Sequence, residues 1–96
     1  MLEKIKIVLR IGHKYLDADI LDTIKIARAE MVRSGISEEK ANDDEDSLIF
    51  SAIKTYCLFT YSSDNSRIEG FRQSWEYQLD NLRKTIGYMK GGNANV

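Results

Sequence analysis

The side chains in this sequence with the widest chemical range are one histidine, one cysteine and a run of four acids, Asp43, Asp44, Glu45 and Asp46. His13 would be the base of any acid–base chemistry. A general base needs an oriented partner within hydrogen-bond reach, and the sequence supplies none, so His13 reads as a surface residue in the loop after Gly12. Cys57 lies on an apolar stretch without neighbours that would lower its pKa, the setting of a small buried hydrophobe and not of a reactive thiolate. As the only cysteine it excludes an intramolecular disulfide or a thiolate metal cluster within one chain. The acids at 43–46 lack the alternating spacing, the turn glycine and the distal glutamate of a calcium loop, and a helix cap explains them better. Gly12, Gly35, Gly87, Gly91 and Gly92 make no phosphate-binding turn, because none leads a strand into a helix. The expectation is a non-enzymatic chain with no catalytic residues, no cofactor and no metal.

A recognition surface is the remaining use for polar side chains at regular spacing. Tyr77, Asn81, Lys84 and Tyr88 recur at steps of four, three and four, which on a helix sets them on one face, apart from the Trp75, Leu79 and Leu82 seam. Tyrosine combines apolar area with one hydrogen bond at small entropic cost, so these four form the candidate subunit or partner contact. The competing reading has both rings bordering the core. Arg72 between Glu69 and Glu76, and Asp80 near Arg83 and Lys84, read as a solvated face.

The elements that must position these groups follow from hydrophobic period. Ile20, Ile24, Ala27 and Met31 mark a helix over residues 17–33, with Leu21 widening the stripe, Asp17 as N-cap, Leu16 stapled onto Leu21, and Gly35 as the left-handed stop. Residues 36–47 are polar and predict a surface connection of tolerated length with an irregular turn near Glu38–Ala41. Leu48, Ile49, Ala52, Ile53, Tyr56, Cys57 and Phe59 give a broad apolar face and hence a central helix. Ser66-Arg-Ile-Glu69 has the form of a capping box. The helix it opens carries Ile68, Phe71, Trp75, Leu79, Leu82 and Ile86 as a bundle seam that stops at Gly87.

Residues 2–11 fit a helix through Leu2, Ile5, Val8 and Leu9, and a strand still better through Ile5, Ile7, Leu9 and Ile11. A lone strand has no partner elsewhere in the chain, so a short helix is expected. The fold class is therefore all-α, a small bundle of three to four helices, with residues 1–90 as one domain and 91–96 as a flexible tail.

Composition agrees. Ninety-six residues, 43% apolar and 30% charged, suit one core, and a chain this small gains stability by associating. The net charge of -1 hides an acidic middle: residues 37–64 hold two basic and seven acidic groups, while each flank carries a basic excess. Nothing in that balance predicts overall attraction to nucleic acid or to an anionic membrane. The opening residues lack a signal-peptide core and no run spans a bilayer, which predicts a cytoplasmic chain without membrane contact.

Four segments together resemble the small head–tail connector family of tailed bacteriophages and prophages. They are Ile-Lys-Ile-Val-Leu-Arg-Ile at 5–11, Asp-Ala-Asp-Ile-Leu-Asp-Thr-Ile-Lys-Ile-Ala at 17–27, Asp-Ser-Leu-Ile-Phe-Ser-Ala-Ile-Lys-Thr-Tyr at 46–56, and the stretch from Phe71 through Trp75 and Tyr77-Gln-Leu-Asp-Asn-Leu-Arg83 to Tyr88. The likeness covers core positions and helix order over nearly the whole chain, without a catalytic motif. It implies a structural protein of the virion, made in the host cytoplasm and placed at the head–tail junction. It also implies that copies join into a ring of about twelve beneath the portal protein through a heterologous, closing contact. Such a ring extends the channel for passing DNA without sequence-specific binding, and it docks later head-completion or tail proteins. On that reading the Tyr88–Val96 tail and the 36–47 connection are the segments expected to become ordered on assembly. The competing class is a small helical DNA-binding regulator, disfavoured because no helix carries a concentrated Lys/Arg stripe.

Overall fold

The computed structural model describes residues 1–89. Within them the order is α1 (Leu2–Leu9), α2 (Asp17–Arg33), α3 (Glu38–Ala41), α4 (Ser47–Tyr61) and α5 (Asn65–Lys84), with no strand. The all-α bundle is thus built from three long helices, one short one and a single turn. The expected tail, 91–96, lies outside the described residues.

The N-terminal segment takes the helical option. Ile5 is fully buried while Ile7 is 76% exposed, so the period-two alternation serves no sheet. α1 ends on Arg10, whose φ of 61° is left-handed. The Ile11 amide reaches the Lys6 carbonyl at 2.9 Å and the Arg10 amide that of Ile7 at 3.1 Å, the pairing that closes a helix with a reversed residue.

α2 ends by the same device with a glycine. Gly35 has φ +114°, and the Ile36 and Gly35 amides donate to the Met31 and Val32 carbonyls, each at 3.0 Å. Met31 and Ile36 are both fully buried, which supplies the apolar contact that accompanies this stop. A Cβ on residue 35 would sit 3.2 Å from the Met89 methyl. Gly35→Ala combines that approach with a disfavoured φ, and it is expected to lower the unfolding free energy by about 1–2 kcal/mol in urea titration.

The start of α2 differs from the sequence expectation. Leu16 holds the N-cap position and Asp17 is the first helical residue. Its carboxylate is drawn instead to the buried Lys6 ammonium at 2.8 Å, because a cation in that position needs a partner more than the helix needs a side-chain cap. Leu21 is 49% exposed and does not widen the buried stripe.

The 36–47 connection is pinned and not merely a surface loop. Ile36 and Ala41 are fully buried, Ser37 caps α3 by accepting from the Lys40 amide, and Arg28 donates to the Ala41 carbonyl at 2.7 Å. Asp46 then caps α4, its Oδ1 accepting from the Leu48 and Ile49 amides at 2.9 and 3.1 Å. This is the role expected for the acidic run.

α4 is the central helix and packs against α1, α2 and α5. It buries Ile49, Ala52, Ile53 and Cys57, whereas Leu48 is 52% exposed and leaves the expected face. On one side Tyr61 donates to Asp19 of α2. On another, Tyr56 packs on Trp75 of α5 with ring centroids 4.8 Å apart, and Gln78 donates to the Thr55 hydroxyl at 3.0 Å.

α5 begins two residues earlier than the capping box predicts. Asp64 is the cap and accepts from the Ser66 amide at 3.0 Å, leaving Glu69 free to engage Arg72. The Ser66 hydroxyl donates to the same Asp64 oxygen at 2.6 Å instead of accepting from the helix, so the carboxylate, the stronger acceptor, holds the cap. Trp75 and Leu82 carry the seam into the core, with Leu79 packed beside them. Ile86 does not join them: the helix ends at Lys84, Gly87 turns the chain with φ +91°, and Ile86 is 90% exposed.

Candidate interaction surface

Three of the four predicted contact residues share the outward face of α5. Tyr77 is 68% exposed, Asn81 is exposed beside it, and Lys84 lies 2.8 Å from Asp80 on the same helix. Gln78 holds the inner side of the helix to α4 and to Ser74, so the outer side is presented without being used for packing.

Tyr88 is not on that face. The helical step from Lys84 to Tyr88 ends where α5 ends, and the turn through Gly87 carries Tyr88 back onto the α2–α4 connection. Its hydroxyl donates to Asp46 Oδ2, its carbonyl accepts from the Ser37 amide at 2.7 Å, and Lys40 Nζ stands 4.8 Å from its ring centroid. Ile36 and Met89 complete the contact as an antiparallel bridge. The two segments expected to become ordered on assembly, 36–47 and the chain from Tyr88, therefore already hold each other through residue 89. Residues 90–96 lie outside the described chain.

Asp46 is the hinge pin of this junction. Burial pushes its carboxyl up, but the Tyr88 hydroxyl, the Ile49 and Leu48 amides and Lys40 together outweigh burial and hold it below the usual carboxylate range. In return the hydrogen bond to Asp46, reinforced by burial, pushes the Tyr88 phenol up to about 12.

A second uncovered surface runs along α2 and was not anticipated. An open trough of about 700 Å³ lies over Ala18, Leu21, Asp22, Lys25 and Arg28, edged by Leu2, and continues for about 300 Å³ past Ala29 and Val32. Ala18, Leu21, Lys25, Ala29 and Val32 follow steps of three, four, four and three, a second helical stripe legible in the sequence once Leu21 is taken off the buried one. The buried stripe of Ile20, Ile24, Ala27 and Met31 faces the core on the other side of the helix.

The remaining candidates have ordinary structural surroundings. His13 is exposed, its Nδ1 accepting from the Tyr15 amide at 3.2 Å. Asp44 engages Arg28, Asp43 accepts from the Glu45 amide and Asp46 caps α4, so three of the four acids meet protein donors. Cys57 is fully buried, and burial pushes its thiol up to about 11. A thiol reagent at pH 8 is accordingly expected to label it only on unfolding, with loss of protection in urea tracking the loss of helical circular dichroism.

Among the described residues seven basic side chains are ion-paired: Lys6 with Asp17, Arg28 with Asp44, Arg33 with Glu30, Lys40 with Asp46 and Asp43, Arg72 with Glu69 and Glu76, and Arg83 and Lys84 with Asp80. No described helix is long and apolar enough to cross a membrane.

Fold and surface by themselves define a small all-helical module with two uncovered helical faces, one on α2 and one on α5. No protein-family model, curated protein or solved structure matches the chain.

Proposed function

We propose that this chain is a structural assembly subunit, and that the assembly is the ring joining head to tail in a tailed bacteriophage or prophage. The observation that carries the reading is the pair of uncovered faces. α2 and α5 flank the central α4, and each turns its buried stripe toward that helix, so their outer faces look away from the core in different directions. A subunit with two unlike faces makes heterologous contacts, which close into rings when the rotation permits. The order of helices and the four segments that resemble the connector family supply the specific identity of the ring, beneath the portal and around the DNA channel.

The test is electron microscopy of the purified chain mixed with portal rings from tailed phages. Extra density stacked on the portal's tail side, absent when the chain is omitted, is the expected result. Unmodified portal rings in every mixture would count against it. The DNA-binding alternative predicts duplex affinity that falls steeply with salt, whereas the connector reading predicts no measurable specific binding.

A further inference from the structure

We infer that the cleft where the end of α1, the end of α4 and the start of α5 meet binds an acidic side chain flanked by apolar residues on a partner protein. This goes beyond the ring reading and does not depend on it. The cleft is open, holds about 320 Å³, and has Arg10 and Arg67 in its lining. Neither arginine is ion-paired among the described residues. The Arg67 guanidinium carbon lies 5.0 Å from the Phe71 ring centroid, a packing that orders the group and leaves its N–H edges free to donate. Among the described residues Arg10 alone has a positive φ without being glycine, at 61°. Glycine is the usual occupant of that reversed position after a helix, because it lacks the Cβ that crowds there, so an arginine held in it points to a use for the side chain.

The rest of the lining decides which anion fits. Val8, Leu58 and Phe71 give the cleft apolar walls, and all three are half-buried, so apolar area remains for a ligand to cover. The one carboxylate in the lining, Asp64, is occupied as the α5 cap, its Oδ1 accepting from the Ser66 amide and hydroxyl at 3.0 and 2.6 Å. Two cations against one acid leave a single positive charge, which one carboxylate neutralises. The planar guanidinium fork matches a carboxylate in a bidentate pair, and neighbouring apolar side chains would cover the walls. A nucleic-acid backbone brings repeated charge and no apolar body, and so would use only the arginines.

The test is a nuclear magnetic resonance titration of the isotope-labelled full chain with an acetylated, amidated Leu-Glu-Phe peptide, whose glutamate is its single charge. Amide shifts are expected around the cleft, at residues 8–10, 58–64 and 67–71, and the Leu-Gln-Phe counterpart should bind roughly tenfold more weakly. Arg10→Gly removes the side chain while relieving the backbone, and Arg67→Gln removes the charge from the other side; each should weaken the glutamate peptide roughly tenfold. Shifts centred elsewhere, equal binding of the two peptides, or variants that bind like the wild type overturn the site. Inorganic phosphate or a short DNA duplex that moves the same amides at lower concentration than the glutamate peptide overturns the acidic partner in favour of a phosphate. None of these outcomes bears on whether the chain forms a ring, which is read from its mass in solution.

Discussion

Asp46→Ala is expected to lower the unfolding free energy by about 2–4 kcal/mol, combining loss of a helix cap, about 0.5–2 kcal/mol, with loss of a hydrogen bond to a charged acceptor, about 1.5–3 kcal/mol. Few single positions in the chain hold so many elements. One carboxylate caps α4, receives the Tyr88 hydroxyl and lies 3.6 Å from Lys40. Removing it loosens the α2–α4 connection and the turn after α5 together. Tyr88→Phe isolates the hydroxyl and should cost less, about 1–2 kcal/mol, since the ring still lies under Lys40.

The pH dependence separates this from a generic surface effect. The folded carboxyl of Asp46 titrates below its unfolded value of about 4, so its contribution is present at neutral pH and is lost as pH falls from about 4 through the lower folded value. The Tyr88 phenol titrates above its unfolded value of about 10, so its share is complete below pH 10 and is lost as pH rises toward 12. Urea titrations of wild type and Asp46→Ala across both ranges check the two limbs. The variant should show a flatter acid limb, and a variant as stable as the wild type at pH 7 would mean that the junction does not hold these elements together.

Tyr77→Ala is expected to weaken assembly by about 30-fold while changing monomer stability by no more than about 0.5 kcal/mol. An exposed aromatic at the centre of an interface is where truncation costs most, yet the same ring touches little of its own chain's core. Trp75→Ala, two residues away, is the contrast. Trp75 is 7% exposed and packs on Tyr56, so its loss should cost about 3–5 kcal/mol of folding stability and remove assembly only because the fold is lost. Thermal unfolding and sedimentation of the two variants side by side distinguish surface from core on one helix.

The three long helices were legible because each carries a sustained apolar period. α1 was legible only by elimination, since Ile5, Ile7, Leu9 and Ile11 alternate as a strand would, and the lack of a pairing partner decides against it. What the sequence hid was the work of isolated residues. Ile36 and Ala41 are single apolar side chains in a polar stretch, with no period to mark them as buried. Asp64 and Ser66 are both good caps two residues apart, and what decides between them is that the Ser66 hydroxyl donates to the Asp64 carboxylate. Lys6 draws Asp17 away from capping across two helices, a contact no local rule contains.

The candidate surface was partly legible for the same reasons. Tyr77, Asn81 and Lys84 share a face because α5 is regular between them. Tyr88 continues the spacing after the helix has stopped at Lys84, and its partner Asp46 is distant in sequence. The α2 trough does not stand out in the sequence because hydrophobic period alone places Leu21 with the buried stripe, whereas it is 49% exposed.

The central claim, that this chain is a self-assembling structural subunit, is tested most directly by the mass in solution of the purified protein over a concentration series, by light scattering, with and without an isolated portal ring. The expected result is a mass that climbs above the 11.0 kDa of one chain as concentration rises or when the portal is added, and that falls back with Tyr77→Ala. A mass of one chain at every concentration, unaffected by the portal, would contradict it.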